Sequence, residues 1–564
     1  MRVFNRQASH LLKFEQRMQN LRNITRQLNS NVFKQGISAP ATDTIFALSS
    51  GPVVKSGVAV VRLSGPACRE ILTILQNAPL ISSNKIASLS TKPIPFPEPR
   101  RASVRTLICP KTGDELDRAM VIWMPGPHSF TGEDVCELHL HGSRAVVSGL
   151  FQALEHLDAP TRGRGIRAAA KGEFTRRAFE NNRMDLTEIE GLSDLLDADT
   201  ALQRKQALRQ MDGHLSKQFE VWRRVLVQCL AHTEAVIDFG DDDRELDIDE
   251  SAMTKLFPIV QQLRDEIEAH LKDGRRGELV REGVRISLVG PPNAGKSTML
   301  NLLARRPAAI VSPIAGTTRD IVEVRLELGG IPCIVSDTAG LREHATDVVE
   351  SEGIRRAKEA FKQAHIKVFV VDAGNVSEMH SAYAMFQHLL KELNEEEPKD
   401  LLSSNSAQRE HVIDVPSAES VYGSERDTSS DARVAIVLNK IDLLKGGVEE
   451  AEKLSANVQN GMPVYAVSCA TGHGVADLEN ALHAAVKKML STSHTESTLI
   501  TRERHRRHLK ICAQHLDKFL HLKLQMDTAA EELRLAALEL GRVSGRVDIE
   551  ELLDVIFRDF CIGK

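Results

Sequence analysis

The sequence predicts a multidomain protein of α/β and α class. A β-rich α+β domain comes first, then a helical domain split in sequence, with an α/β domain inserted between its halves. Three observations carry this reading. Strand-like apolar runs such as Gly57 to Val61 crowd the segment after Thr42. Helical stripes occur at Leu186, Ile189, Leu192 and Leu196, and again at Leu533, Ala536, Ala537 and Leu540. Between them lie five buried-type strands: Val284 to Val289, Ile331 to Ser336, Ile366 to Val371, Arg433 to Leu438, and Val464 to Val467. Two amphipathic halves separated by a complete α/β domain must bury their faces against each other or against a partner.

The chain has 564 residues, enough for three or four domains at roughly 150 residues each. Hydrophobic residues are 42% and charged residues 26%, the composition of a globular chain with a core. A net charge of −5 excludes a wholly basic nucleic-acid coat, so any nucleic acid must be held by local patches. The apolar runs around Val58 to Val61 and Val368 to Val371 fall far short of the ~18 residues that span a bilayer. Eight cysteines are spread singly, with no CxxC pair. That argues against a disulfide framework or zinc ribbon and for a reducing compartment.

Residues 1–40 carry Arg2, Arg6, Lys13, Arg17, Arg22, Arg26 and Lys34 against one acid, Glu15, with a rough apolar helical stripe. An Arg-rich, acid-poor, amphipathic start has the composition of a mitochondrial transit segment. Residues 41–181 form the β-rich domain. Cys136, His139 and His141 have a zinc-like spacing but lack a fourth ligand nearby. A basic cluster at Arg162, Arg164, Arg167, Lys171, Arg176 and Arg177 is a candidate for nucleic-acid phosphates, as is a second at Arg502, Arg504, Arg506, Arg507 and Lys510. A solvated face explains each cluster equally well. Residues 182–282 supply the first helical part and 491–564 the second.

Residues 283–490 hold the chemistry that composition alone cannot suggest. The strand Val284 to Val289 delivers Gly290-Pro-Pro-Asn293-Ala294-Gly295-Lys296-Ser297-Thr298, followed by the helical pattern Met299, Leu300, Leu302, Leu303. This is GxxxxGK[ST] in its strand–loop–helix context. Backbone N–H groups of such a loop wrap phosphates, Lys296 reaches the β/γ-phosphates, and the Ser297 hydroxyl binds Mg²⁺. Further on, Asp337-Thr338-Ala339-Gly340 follows a strand, where the carboxylate holds Mg²⁺ through water and the Gly340 N–H senses the γ-phosphate. Asn439-Lys440-Ile441-Asp442 and Ser468-Cys469-Ala470 complete the set. Asp442 can accept hydrogen bonds from the N1–H and 2-amino edge of guanine, which adenine lacks. The nucleotide is therefore GTP, and the domain resembles Ras-like P-loop GTPases.

Two features depart from the Ras pattern. The position after DTAG that usually carries a water-orienting Gln is Leu341, which cannot hydrogen-bond. Residues 394–431, just before the NKID strand, hold ten acids against three bases and are Ser-rich, so they read as a disordered insertion. The loop Ser312-Pro313-Ile314-Ala315-Gly316-Thr317-Thr318 lies between the motifs, with Thr318 the natural Mg²⁺-sensing threonine. Paired with Asn293, this loop resembles that of GTPases activated by bound K⁺ and G-domain dimerisation, with Asn293, Ser312, Ile314 and Thr317 as the implied K⁺ neighbours.

The flanks narrow the family. Asp43 to Ala47, Arg62 to Gly65, the stretch Pro125 to Glu137 (PGPHSFTGEDVCE), Gly172 to Asn181 (GEFTRRAFEN) and the closing Phe560-Cys561-Ile562-Gly563-Lys564 together resemble the MnmE (TrmE) family of wobble-uridine tRNA-modification GTPases. The resemblance covers nearly everything after about Thr42. It implies a tetrahydrofolate-binding-like N-terminal domain that dimerises, and a helical domain split by the G domain. It also implies an MnmG-type FAD protein as partner, in a heterotetramer with the homodimer. The implied reaction installs a carboxymethylaminomethyl-type or related group at C5 of the wobble uridine of mitochondrial tRNA, in the matrix. A 5-formyl- or methylene-tetrahydrofolate supplies the one-carbon unit. Carried over by motif, the folate residues are Arg62, Glu137, Arg183 and Lys564, with Arg183 where the family usually has Lys. Glu350 is implied to position the hydrolytic water, and Cys561 to lie near the one-carbon unit. The G motifs alone also fit a ribosome-assembly GTPase without one-carbon chemistry.

Overall fold

The computed structural model describes residues 43–51, 55–77, 81–82, 85–86, 94–157, 165–240, 247–272, 275–291, 293–304, 322–337, 359–375, 433–456, 463–490, 500–521, 526–545 and 563. They fall into two units: Met1–Asp197 with Lys205–Gly274 and Arg502–Lys564, and Ala198–Arg204 with Arg275–Thr501. The 1–40 segment and the 394–431 insertion lie outside the described residues.

The first unit begins with a six-stranded sheet. Its strands are β1 (Thr44–Leu48), β2 (Ser56–Ser64), β5 (Ala102–Ile108), β6 (Glu115–Met124), β7 (Val135–Gly142) and β8 (Ile166–Ala168), in the order β5-β6-β7-β2-β1-β8. A small hairpin of β3 (Ile81–Ser82) and β4 (Lys85–Ile86) stands apart. Only β1 and β8 run parallel; the other pairs are antiparallel. Alternation along β7 sends Cys136, Leu138 and Leu140 into the core beneath the helices Cys68–Asn77 and Arg144–Glu155. Glu137 and His139 take the other face, and the helix Glu173–Glu180 covers part of that face by packing Phe174 on Ile45 and Ala47.

This alternation disposes of the zinc spacing. Cys136 is buried in the core and burial pushes its thiol far up, while His141 Nδ1 lies 2.7 Å from Asp117. Among the described residues no cluster of three or more His, Cys, Asp or Glu could hold a metal. Among the described residues of the two basic clusters, several arginines are already paired, while Lys171, Arg507 and Lys510 are exposed. Arg177, 3% exposed, is buried among carboxylates. Arg167 pairs with Asp43 and Glu173 at 2.7 and 2.5 Å. In the second cluster, Arg502 pairs with Asp194 at 2.7 Å and Arg504 with Glu190 at 3.0 Å. These guanidinium groups are committed to internal pairs.

The helical part contains Leu186–Leu196, Ala201–Met211, His214–Gly240, Asp247–Leu271, Glu503–His521 and Met526–Ser544. The first starts with a capping box, in which Asp185 accepts from Glu188 N and Glu188 accepts from Asp185 N. Glu503–His521 packs on Met526–Ser544 and on Asp247–Leu271, while Met526–Ser544 packs on His214–Gly240. Helices from both halves of the sequence thus share one core, with Leu533, Ala536 and Leu540 fully buried.

The stripe read at Leu186 to Leu196 needs correction. Leu196 is 42% exposed, whereas Glu190 is 1% exposed. The helix buries a carboxylate because the C-terminal half supplies its partners: His505 Nε2 at 2.7 Å, Arg504 at 3.0 Å and Arg502 at 3.8 Å. Burial alone would raise the Glu190 pKa, but His505 and the two arginines pull it down to about 2. A carboxyl depressed in this way contributes stability above its unfolded pKa, and the contribution is lost as pH falls through about 2. Glu190→Gln is expected to destabilise the protein by about 3–5 kcal/mol, because it removes the buried charge that Arg504 and His505 are paired with. The readout is the melting temperature by differential scanning fluorimetry, and an unchanged value would show that the cluster relaxes into water.

The second unit is a six-stranded sheet in the order β10-β11-β9-β12-β13-β14. It comprises β9 (Val284–Val289), β10 (Val322–Leu328), β11 (Ile331–Asp337), β12 (Ile366–Asp372), β13 (Arg433–Asn439) and β14 (Val464–Ala466). All neighbours are parallel except the hairpin β10–β11. The apolar runs bury both faces, as parallel strands require. Loops leaving the C-terminal ends of β9, β11, β13 and β14 carry the phosphate and base motifs. Among the described residues no helix is long and apolar enough to cross a membrane.

Candidate functional site

Two sites can be built from the sequence-predicted residues. The first lies at the C-terminal ends of the second unit's strands. β9 ends at Val289, and the helix Lys296–Ala304 starts after the loop, so its N-terminus and backbone N–H groups face the loop interior. Asn293 is exposed and left-handed, with φ 60°. Ala294 is buried, and its carbonyl accepts from Asn439 Nδ2 at 2.8 Å. Gly295 has φ +94°, and a Cβ there would collide with that same Asn439 amide. Lys296 is buried, and its Nζ donates to the carbonyls of Gly290 and Pro291 at 2.9 Å each. Burial holds its ammonium below the usual lysine range, against the pull of Asp337. Thr298 is exposed beside it.

Ser297 Oγ donates to Asp337 Oδ2. Asp337 is 2% exposed, and its Oδ1 has no hydrogen-bond partner among the described residues. A buried carboxylate oxygen without a donor is costly unless a cation or water meets it. A hydroxyl beside such a carboxylate is an oxygen set suited to Mg²⁺.

The base-recognition motifs also converge. Asn439 is buried and its Oδ1 accepts from Cys469 N at 3.3 Å, so one amide ties the P-loop to the Ser468-Cys469-Ala470 loop. Ser468 Oγ donates to Asp442 Oδ1 at 2.5 Å and accepts from Thr471 N at 3.1 Å, which fixes the Asp442 carboxylate. Asp442 and Ala470 are exposed. Lys440 is left-handed with φ 64° and pairs with Asp372 at 2.8 Å. Asp372 was not singled out from sequence; the acid closing the run Ile366–Asp372 was the available signal. Ser312, Pro313, Ile314, Ala315, Gly316, Thr317 and Thr318, together with Thr338, Ala339, Gly340, Leu341 and Glu350, lie outside the described residues.

The second site lies on the open face of the first unit's sheet. Arg62 of β2 and Glu137 of β7 are cross-strand neighbours, joined at 2.8 Å. The Arg62 guanidinium stands 5.3 Å from the Phe130 ring centroid and 5.9 Å from that of Phe174. His139 Nε2 lies 3.5 Å from Glu137 Oε2 and makes no hydrogen bond. Arg183 Nε donates to Ser129 O at 3.1 Å, and its stem lies against Gly132. Arg62 and Glu137 thus sit on the two central strands of the sheet, and Arg183 is tied to the loop from Ser129 to Asp134. The two phenylalanines were missed, although both stand within the motifs that carry the resemblance. Cys561 and Lys564 lie outside the described residues, but Gly563 is buried, with its carbonyl 3.1 Å from Ser49 Oγ just past β1.

Comparison with known proteins places both sites in one family. Residues 186–561 match the family model described as the MnmE helical domain, and residues 44–183 match that of the GTP-binding protein TrmE N-terminus. The mitochondrial 5-taurinomethyluridine tRNA synthase subunit GTPB3 of Danio rerio is 42% identical over 529 residues, covering 93% of this chain and 94% of the relative. The Homo sapiens protein of the same name is 42% identical over 532 residues, covering 94% and 95%. The tRNA modification GTPase MnmE of Parvibaculum lavamentivorans is 43% identical over 525 residues, covering 93% of this chain and all of its own length. Identity of this order over more than nine-tenths of the chain shows the family, and the chain belongs to the MnmE (TrmE) family of tRNA modification GTPases.

Proposed function

We propose that this chain hydrolyses GTP in the service of tRNA modification, acting on C5 of the wobble uridine of mitochondrial tRNA with a folate as one-carbon donor. The observation that carries the reading is a single chain with a guanine-type base loop in one unit and a paired Arg–Glu between aromatic rings in the other. Ser297 and Asp337 would hold Mg²⁺, which supplies charge against the β/γ-phosphates. Lys296 would leave its loop carbonyls for phosphate oxygens, a stronger, charge-assisted partner. Asp442, fixed by Ser468, would accept the guanine N–H edge. A pterin presents the same pattern of ring N–H and 2-amino donors as guanine. Glu137 suits that edge, Arg62 suits the carboxylates or ring carbonyl of a folate, and Phe130 and Phe174 suit its flat body.

The finer elements follow the family. They are an N-terminal homodimer, an MnmG-type FAD protein as partner, K⁺ beside Asn293 and the Ser312–Thr318 loop, and residence in the mitochondrial matrix. The test is mass spectrometry of the wobble uridine in mitochondrial tRNA from cells lacking the protein. Loss of the C5 substituent is expected. Unaltered uridine with defective ribosomes would replace this reading with that of an assembly GTPase.

With Leu341 in place of a water-orienting amide, hydrolysis should depend on K⁺ and on pairing of G domains. Turnover is expected to be faster in KCl than in NaCl at equal ionic strength, and to rise per enzyme with protein concentration. Glu350→Ala is expected to slow it by on the order of 10²-fold with GTP affinity nearly intact. Equal, concentration-independent rates in both salts would exclude this mechanism.

A further inference from the structure

The Arg62 site has an unexplained foundation. Arg177, on the helix that carries Phe174, is buried, and both its terminal nitrogens are bonded. Its Nη1 donates to Asp43 O at 3.0 Å and to Glu133 at 3.2 Å, and its Nη2 donates to Asp43 Oδ1 at 2.9 Å and Glu173 Oε1 at 3.1 Å. Glu133 in turn accepts from Ser64 Oγ at 2.6 Å, and Ser64 contacts Thr131 Oγ1 at 2.7 Å. Arg167 closes the cluster on Asp43 and Glu173. One guanidinium therefore joins the start of β1, the loop that carries Phe130 and the helix that carries Phe174, and Glu133 extends the link to Ser64 at the end of β2.

We propose that Arg177 is a positioning residue of the folate site: it sets the placement of Phe130 and Phe174 around Arg62, and so the width of the slot for a pterin ring. The proposal rests on the folate reading above. The geometry argues for it in two ways. Arg177 bonds Asp43, Glu133 and Glu173 and not Arg62, Glu137 or Arg183, so it acts through the walls and not on a ligand. Its partners Asp43, Glu133 and Glu173 lie on three segments, and a single-point cation could not serve them; the planar fork can. Burial works against its charge, but Glu133, Asp43 and Glu173 together hold it more firmly protonated than a free arginine. Asp43 and Glu173 sit correspondingly below the usual carboxylate range, against their own burial.

The test is equilibrium dialysis of 5-formyltetrahydrofolate against the full chain. Arg177→Lys keeps the charge and loses the fork. A Kd for the folate at least tenfold higher is expected, with GTP affinity unchanged and the melting temperature within a few degrees. In a Phe174→Ala background the same change is expected to add little, because the wall it places is already gone. Merely structural damage would instead lower the melting temperature and add fully in both backgrounds. Wild-type folate affinity in folded Arg177→Lys overturns the proposal. Should Arg177→Lys not fold, Glu133→Gln decides. It loosens the tie of the Phe130 loop to Arg177 and to Ser64, a severalfold weaker Kd is expected, and an unchanged Kd overturns the proposal. Failure of the wild-type chain to bind the folate at all overturns the folate reading, and this role with it.

Discussion

Asp442→Asn is expected to weaken GTP binding by on the order of 10²-fold or more, and to create affinity for xanthosine triphosphate. The native carboxylate is exposed and oriented by Ser468 Oγ at 2.5 Å. Bonds from guanine N1–H and the 2-amino group to a charged acceptor contribute about 1.5–3 kcal/mol each. An amide retains one acceptor and presents N–H donors, which oppose the 2-amino group but match the 2-keto oxygen of xanthine. The neighbouring scaffold should survive, because Asn439 holds Ala294 O and Cys469 N independently of Asp442. Titration with fluorescent GTP and XTP analogues reads both effects. Undiminished GTP affinity would remove Asp442 from base recognition. A loss for both nucleotides would point to a collapsed loop instead of altered selectivity.

Much of the nucleotide domain was legible because its physics is local in sequence. Parallel strands buried on both faces are continuous apolar runs, and each of the five runs is a strand of one sheet. The P-loop likewise needs only its own glycines and lysine. What stayed hidden is what depends on distant partners. Arg177 looks like one of a basic row until Asp43, 134 residues away, and Glu133 close around it. Glu190 looks like the polar face of a helix until His505, 315 residues away, reaches it. Spacing in sequence cannot distinguish a cation that awaits a phosphate from one already paired inside the fold. The Phe130–Arg62–Phe174 arrangement was hidden for the same reason, since strand register and a covering helix bring the three together.

Cys561→Ser is expected to abolish the wobble-uridine modification in cells while GTP hydrolysis and dimerisation persist. Gly563 supplies the physical support. It is buried with φ +98°, and its carbonyl accepts from Ser49 Oγ at 3.1 Å. A side chain there would run into the Leu48 carbonyl. Ala47, one residue before Leu48, is the register partner of Arg62, and Arg62 is that of Glu137. The tail is therefore anchored at the strand that adjoins the proposed folate site. Cys561 lies two residues before Gly563 in sequence, and two residues of chain span at most ~7 Å. A thiol can act as nucleophile or acid near neutral pH; a serine hydroxyl of similar size cannot without a dedicated base. Gly563→Ala is the companion variant. It keeps the thiol but drives a Cβ against Leu48 O in a left-handed conformation that alanine disfavours, so it is expected to lose most of the modification as well. Mass spectrometry of the tRNA reads both variants against GTP turnover of the same purified proteins. Normal modification with Cys561→Ser and loss with Gly563→Ala would leave the tail a packing element with no chemical role for its thiol. Normal modification in both would detach the tail from the reaction altogether.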